Sequence, residues 1–257
     1  MKMPRAMSIF AVSIILFAAA SGAHAEMLLE NFDDGWSPGL WEIDKNHDLW
    51  TVAAPDPSGR LQVSKPADDD QSTASEHISG GLHSLFTLDG DFAVSVDYQL
   101  LAFPDAGLGY NEAVMRVKAE DTGASFWCLI YMIEDRQNAE GYDSWNDMPV
   151  GPIPDSSTEG VFEIQREGQT LSALIDRGSG LELLGSASDS AFLGPVSLDI
   201  FAAQIVRPTG YRSFSEMDVR FDNFSVTAET IIPEPATLSL LVLGGVGLLR
   251  RRSRFGS

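Results

Sequence analysis

The chain has 257 residues, with 17 Lys or Arg against 37 Asp or Glu, for a formal charge of −20. A surplus of that size repels phosphate backbones, so no nucleic-acid partner is expected. The single cysteine, Cys128, excludes an intrachain disulfide framework and any CxxC metal site, and a hydrophobic content of 44% excludes a disordered acidic tail.

The chain opens with the three parts of a secretory signal. Lys2 and Arg5 supply the positive start, Met7 to Ala20 is uncharged and apolar, and Ala23-His24-Ala25 matches a small-x-small cleavage site. Residues 1–25 are therefore expected to be removed, so that the mature chain begins at Glu26. The apolar run is short for a membrane span, which needs about 20 residues.

From Glu26 to Thr230 no segment keeps a helical period, and short strand-length stretches follow one another. Met27 to Phe32, Leu49 to Val52, Arg60 to Val63 and Ser84 to Leu88 each fit a strand between turn residues. Asp68-Asp69-Asp70 reads as a solvated loop. Asp91 to Leu100 alternates strictly: Phe92, Val94, Val96, Tyr98 and Leu100 share one face, and Ala93, Ser95, Asp97 and Gln99 the other. That period of two predicts a strand with one buried face. Phe126 to Ile133 is continuously apolar, which predicts a central strand buried on both faces and makes Cys128 a buried hydrophobe rather than a nucleophile.

Glu134 to Glu159, rich in Gly and Pro, reads as a long loop and as the best candidate for a binding surface. Its Tyr142 and Trp145 would stack on a sugar ring, with Asp143, Asn146 and Asp147 accepting from hydroxyls. Beyond it, Val161 to Arg166 and Leu171 to Ile175 flank Glu167-Gly168-Gln169 and predict a hairpin. Leu181 to Leu184 and Val196 to Phe201 follow as strands. Met217, Val219 and Phe221 alternate, then Phe224 and Val226 alternate in the opposite phase, so a bulge is expected at Asp222-Asn223. Asp222 and the early Asp33 are candidates for sharing a structural Ca²⁺, which takes roughly six to eight oxygen ligands. His47, His77 and His83 lack zinc-ligand spacing, and no Gly-x-Ser-x-Gly elbow is present.

The chain closes with Pro233-Glu234-Pro235, an uncharged and mostly apolar run from Ala236 to Leu249, and Arg250-Arg251-Arg252-Ser253-Arg254. Positive charge after an apolar run stays on the cytoplasmic side. Tripeptide, apolar helix and arginine cluster together resemble the PEP-CTERM sorting signal of Gram-negative bacteria. The resemblance implies that residues 231–257 hold the precursor in the inner membrane as a transmembrane helix, with Pro233, Glu234, Pro235, Arg250, Arg251 and Arg252 as the motif. An exosortase-type transpeptidase is the implied partner, and the cell surface or extracellular matrix the destination.

Many short strands without helices mean a sandwich or barrel. About 200 residues suit an all-β, two-sheet antiparallel jelly roll over residues 26–230. Three pieces resemble concanavalin-like and laminin-G-like sandwiches: Gly90 to Tyr98, the Phe162 to Leu171 hairpin, and Val219 to Val226. That superfamily holds lectins, glycan-binding modules, glucanases and structural domains, so fold alone does not choose. Its glucanases carry Glu-x-Asp-x-x-Glu on a concave-sheet strand. The near match here, Glu42-Ile43-Asp44-Lys45-Asn46-His47, has His47 in place of the third acid and reads as an exposed acidic turn. The expectation is a non-enzymatic domain that binds extracellular polysaccharide or builds matrix. A hydrolase of the same fold is the alternative, and a spacer without ligand a third reading.

Overall fold

The computed structural model describes residues 25–68, 76–104, 109–133, 136–144, 148–206 and 214–233. They form fifteen strands: β1 (Glu26–Glu30), β2 (Trp41–Lys45), β3 (Thr51–Ala53), β4 (Leu61–Lys65), β5 (Glu76–Ser84), β6 (Phe86–Ala102), β7 (Gly109–Ala119), β8 (Ser125–Ile133), β9 (Arg136–Asp143), β10 (Met148–Pro154), β11 (Glu159–Glu167), β12 (Thr170–Asp176), β13 (Leu181–Ser188), β14 (Val196–Val206) and β15 (Met217–Pro233). Every pairing between these strands is antiparallel, and hydrogen bonding links them all. The two halves, however, join through β14 and β6 at the single pair Val196–Leu88. The chain thus folds as two layers. One runs β10-β9-β8-β7-β14-β5-β2, and the other runs β13-β12-β11-β6-β15, with β1 and the β3-β4 hairpin along β15.

The core lies between the layers. The first layer contributes Ile78, Leu82, Ala113, Met115, Val117, Phe126, Cys128, Ile130, Leu198 and Ile200. The second contributes Phe92, Val94, Val96, Tyr98, Phe162, Ile164, Leu171, Ile175, Val219, Phe221, Phe224 and Val226. The Cys128 thiol bonds the Leu174 carbonyl at 3.3 Å across the gap, and burial pushes the thiol pKa up, as befits a packing residue. The alternating face of β6 is buried as its pattern predicts. The β11–β12 hairpin turns at Gly168, whose φ of +59° suits glycine. The register of β15 on β6 shifts between Asp222 and Ser225, with Asn223 at φ +48°; this is the bulge that the phase slip signalled.

Three expectations are corrected. The stretch Glu134 to Glu159 is not a loop: it holds the β9–β10 hairpin at the sheet edge. Its core positions Ala139 and Gly141 are too small to give an apolar period, and the prolines of β10 suit an edge strand. Glu42 and Asp44 lie in β2 rather than a turn. Finally, β8 is apolar throughout for two different reasons. Phe126, Cys128 and Ile130 meet the core, whereas Trp127 and Tyr131 remain partly exposed on the outer face.

Candidate functional site

Register places side chains in rows across the outer face of the first layer. One row runs Glu42, His83, Asp199, Arg116, Trp127, Tyr142, from β2 through β5, β14, β7 and β8 to β9. The next runs Asp44, Gly81, Phe201, Val114, Leu129, Glu140, and a third includes Ala203, Glu112 and Tyr131. These residues alternate with the core residues of the same strands, because successive side chains of a strand point to opposite faces. Gly81 is required by close approach: a Cβ there would stand 2.5 Å from that of Phe201.

The first row is an ordered electrostatic scaffold. Asp199 is buried, and its carboxylate accepts from Arg116 Nε and meets His83 Nδ1, each at 2.8 Å. Burial alone would push the Asp199 pKa up; the His83 and Arg116 interactions outweigh it and hold the acid below its ordinary value. The bond to Asp199 in turn raises His83. Arg116 lies 5.5 Å from the Trp127 ring centroid and 5.0 Å from that of Phe201, so the salt-bridged cation also fixes the aromatic floor.

Beside this row opens a cleft of about 420 Å³, lined by Tyr110, Glu112, Trp127, Leu129, Tyr131, Glu140 and Tyr142, with His77, Ile133 and Ile205. Val114, Leu129, Phe201 and Ala203 form a small apolar cluster beneath it. Two carboxyls face the cleft. Glu112 is 5% exposed, and its Oε2 has no hydrogen-bond partner. Burial, reinforced by the charge of Glu140, pushes the Glu112 pKa up to about 8, so at neutral pH it is a proton donor. Glu140 is also raised by burial, but a hydrogen bond from Tyr131 opposes this and favours its ionised form. A protonated acid beside an ionisable one, on an aromatic floor, is the equipment of general acid–base chemistry.

The sequence candidates fare unevenly. Tyr142 lies in β9, lines the cleft and packs edge-on against Trp127 at 5.6 Å. Asp143, the next residue, points to the opposite side and is buried, so the two do not face one ligand. Trp145, Asn146 and Asp147 lie outside the described residues, as do Glu234, Pro235 and Arg250 to Arg252. Asp33 and Asp222 do come near each other: Asp33 and Asp97 both help to raise the Asp222 carboxyl, after burial. Arg60 Nε stands 3.5 Å from Asp222, supplying positive charge there. Among the described residues no group of three or more acids, histidines or cysteines could hold a metal ion. Glu112 and Glu140 were missed. Tyr110, Glu112, Val114 and Arg116 alternate with Asn111, Ala113, Met115 and Val117, and that period of two was the signal for β7.

Comparison with known proteins adds two findings. Residues 232–253 match the PEP-CTERM protein-sorting motif. The chain is therefore an exported protein with an exosortase sorting signal, of a Gram-negative-type envelope. No helix among the described residues is long and apolar enough to cross a membrane, and the apolar run after Pro235 lies outside them. No curated protein matches the sequence. Among solved structures, a protein of Mycobacterium abscessus assigned as a beta-glucanase is 12% identical, with a TM-score of 0.56 over 77% of this chain and 98% of its own. The kappa-carrageenase of Pseudoalteromonas carrageenovora is 8% identical, with a TM-score of 0.50 over 83% and 99%. The GH43 protein BlXynB of Bacillus licheniformis is 12% identical, with a TM-score of 0.54 over 78% of this chain and 39% of its own. At these identities the likeness is one of fold, that of the concanavalin-like sandwiches. It nevertheless overturns the expectation of a non-enzymatic domain, since the whole-length neighbours include glycan-degrading enzymes. The missing Glu-x-Asp-x-x-Glu removes one way of placing two acids on this face, not the acids themselves.

Proposed function

We propose that the protein is a surface or matrix glycoside hydrolase of the cell envelope, with its active site in the outer-face cleft. The observation that carries this reading is Glu112: buried, partly unpartnered and protonated at neutral pH, beside Glu140 in an aromatic cleft. A stable fold has no need of such an acid, because a buried carboxyl without a partner costs free energy.

In this reading a sugar ring lies on Trp127. Glu112 donates its proton to the glycosidic oxygen as the C–O bond breaks, and the leaving chain departs as an alcohol. Glu140 takes a proton from the water that attacks the anomeric carbon, so the proton count is unchanged over the turnover. The two acids stand on β7 and β9 with β8 between and one row apart, which puts their backbones about 12 Å apart. That spacing leaves room for a water between the carboxyls, the inverting arrangement. Exosortase delivers the protein to the envelope exterior, where an extracellular polysaccharide is the substrate.

The test is reducing-end release from a panel of polysaccharides by the mature protein, followed by NMR of the first product anomer. Glu112→Gln and Glu140→Gln should each lower turnover by 10²–10⁴-fold, the usual worth of positioned acid–base catalysis. Hydrolysis that survives both substitutions would refute the assignment.

A further inference from the structure

The cleft's ionisable lining is one-sided. Among the described residues it consists of Glu112, Glu140 and His77, together with Tyr110, Tyr131 and Tyr142, and no lysine or arginine. The nearest cations among the described residues lie outside this lining. Arg116 is bonded to Asp199 and stacked against Trp127 and Phe201. Arg136 pairs in register with Ile133 and stands exposed at the turn, on the rim. His77 presents an edge to solvent, yet the protein packed around it and the charge of Arg116 hold its pKa below the ordinary histidine value. Further along the same face Asp199 is neutralised by Arg116 and His83, while Glu42 and Asp44 add exposed negative charge on β2.

We infer that the cleft selects uncharged glycan chains and rejects chains bearing uronates or sulfate esters. This rests on reading the cleft as a glycan site. A carboxylate or sulfate carried onto the Trp127 floor would meet Glu140 with no lining cation to neutralise it, and like charges at a few ångströms in a partly desolvated site repel strongly. An uncharged pyranose meets no such obstacle. The Trp127 indole N–H is already donated to Ser125 Oγ at 2.7 Å, so the ring offers its face, which suits the C–H side of a sugar. The protonated Glu112 and the tyrosines then supply donors for hydroxyl and ring oxygens without charge.

The experiment is equilibrium titration of the mature protein, read by tryptophan fluorescence at low ionic strength. The probes are length-matched neutral β-glucan oligosaccharides, oligogalacturonate and sulfated galactan oligosaccharides. The expected result is that a neutral chain binds and that both anionic classes bind at least tenfold more weakly. Ile205→Lys, which places a cation on the lining, should strengthen oligogalacturonate binding at least tenfold. Ile133→Lys serves the same purpose should the first variant not fold. An anionic chain that binds the wild type as tightly as a neutral one overturns the inference. So does the absence of binding by any neutral probe, which also removes the glycan reading. Neutral binding without hydrolysis refutes the catalytic assignment alone and leaves the selectivity standing.

Discussion

The two clefts on the outer faces of the sandwich treat their charges in opposite ways. On the second layer a cleft of about 330 Å³ is lined by Arg60, Arg177 and Arg220 together with Asp97, Glu159, Asp176 and Asp222. Each arginine there is matched: Arg60 with Asp222 at 3.5 Å, Arg177 with Asp155 at 3.7 Å, and Arg220 with Asp56 at 2.9 Å. In the cleft of the first layer, Glu112 and Glu140 are gathered without a lining lysine or arginine among the described residues, and Glu112 is left protonated and partly unpartnered. Cavity size and the number of polar groups hardly separate the two. Charge pairing does: the second cleft also holds buried polar atoms without hydrogen bonds, at Tyr98 and Arg220, but its arginines stand against carboxylates, whereas Glu112 stands against another acid.

The sharpest way to break this contrast is Glu112→Gln. Its carboxyl is raised in the folded state above the ordinary glutamate value, so the folded protein binds the extra proton. Stability is fully present below the unfolded pKa and declines as pH rises toward about 8. The amide removes that dependence. Turnover should fall by two to four orders of magnitude, while the melting temperature at pH 8–9 rises. Loss of both activity and stability would mean that Glu112 is part of the fold's support.

Arg220→Ala is the complementary test on the other face. Asp56 has a fully buried side chain and would lose its cation. It would keep the Ser58 and Arg60 amides and the Ser58 hydroxyl as donors. The expected cost is therefore about 1–3 kcal/mol, below the usual range for a buried pair deprived of one partner. Urea melts measure it, and kcat and KM on the opposite face should stay within twofold. A large fall in turnover would show that the two faces are coupled.

What the sequence revealed and what it hid follow the same division. The second layer was legible because its core positions are large and alternate with polar residues, as in Phe92 to Leu100, and because a slipped phase marked the bulge at Asp222. The first layer was obscured. β5 carries Gly80 and Gly81, β7 opens with the buried Asn111 and Ala113, and β9 turns Ala139 and Gly141 inward. Small or polar core residues weaken a period of two. The site was hidden further because Glu112 and Glu140 share no motif spacing. They meet through the registers of β7 on β8 and β8 on β9, which pair Glu112 with Tyr131 and Leu129 with Glu140.

Tyr131 offers a smaller and more discriminating perturbation. Burial raises the Glu140 pKa and the Tyr131 hydrogen bond lowers it. Tyr131→Phe removes only the lowering contribution, so Glu140 should titrate at higher pH. A base must be ionised to act, so the acid limb of the kcat/KM profile should move upward, while the alkaline limb, set by Glu112 near 8, stays in place. A fall at every pH with both limbs unmoved would assign Tyr131 to substrate contact instead.

The smallest expected effect lies where the fold meets its sorting signal. The alternation read from the sequence stops at Val226, but β15 continues to Pro233, with Ile231, Ile232 and Pro233 paired to Leu88, Thr87 and Phe86. Ile231 packs on the core, and its N–H is donated to the Glu26 carboxylate at 2.6 Å. Glu26 is the residue expected at the start of the mature chain, so that expected start and the sorting motif meet at one corner, and the motif begins on a core-packed strand without a spacer. Ending the chain after Pro233 keeps these contacts and should leave the melting temperature of the mature protein within about 2 °C, which amounts to less than 1 kcal/mol for a domain of this size. Ending it after Thr230 removes a partly buried isoleucine and leaves Glu26 without its donor. That should cost about 1–2 kcal/mol, a fall of several degrees. Parallel thermal melts of the two truncations decide the matter: if both melt together, β15 ends functionally at Thr230, and Ile231 belongs with the tail.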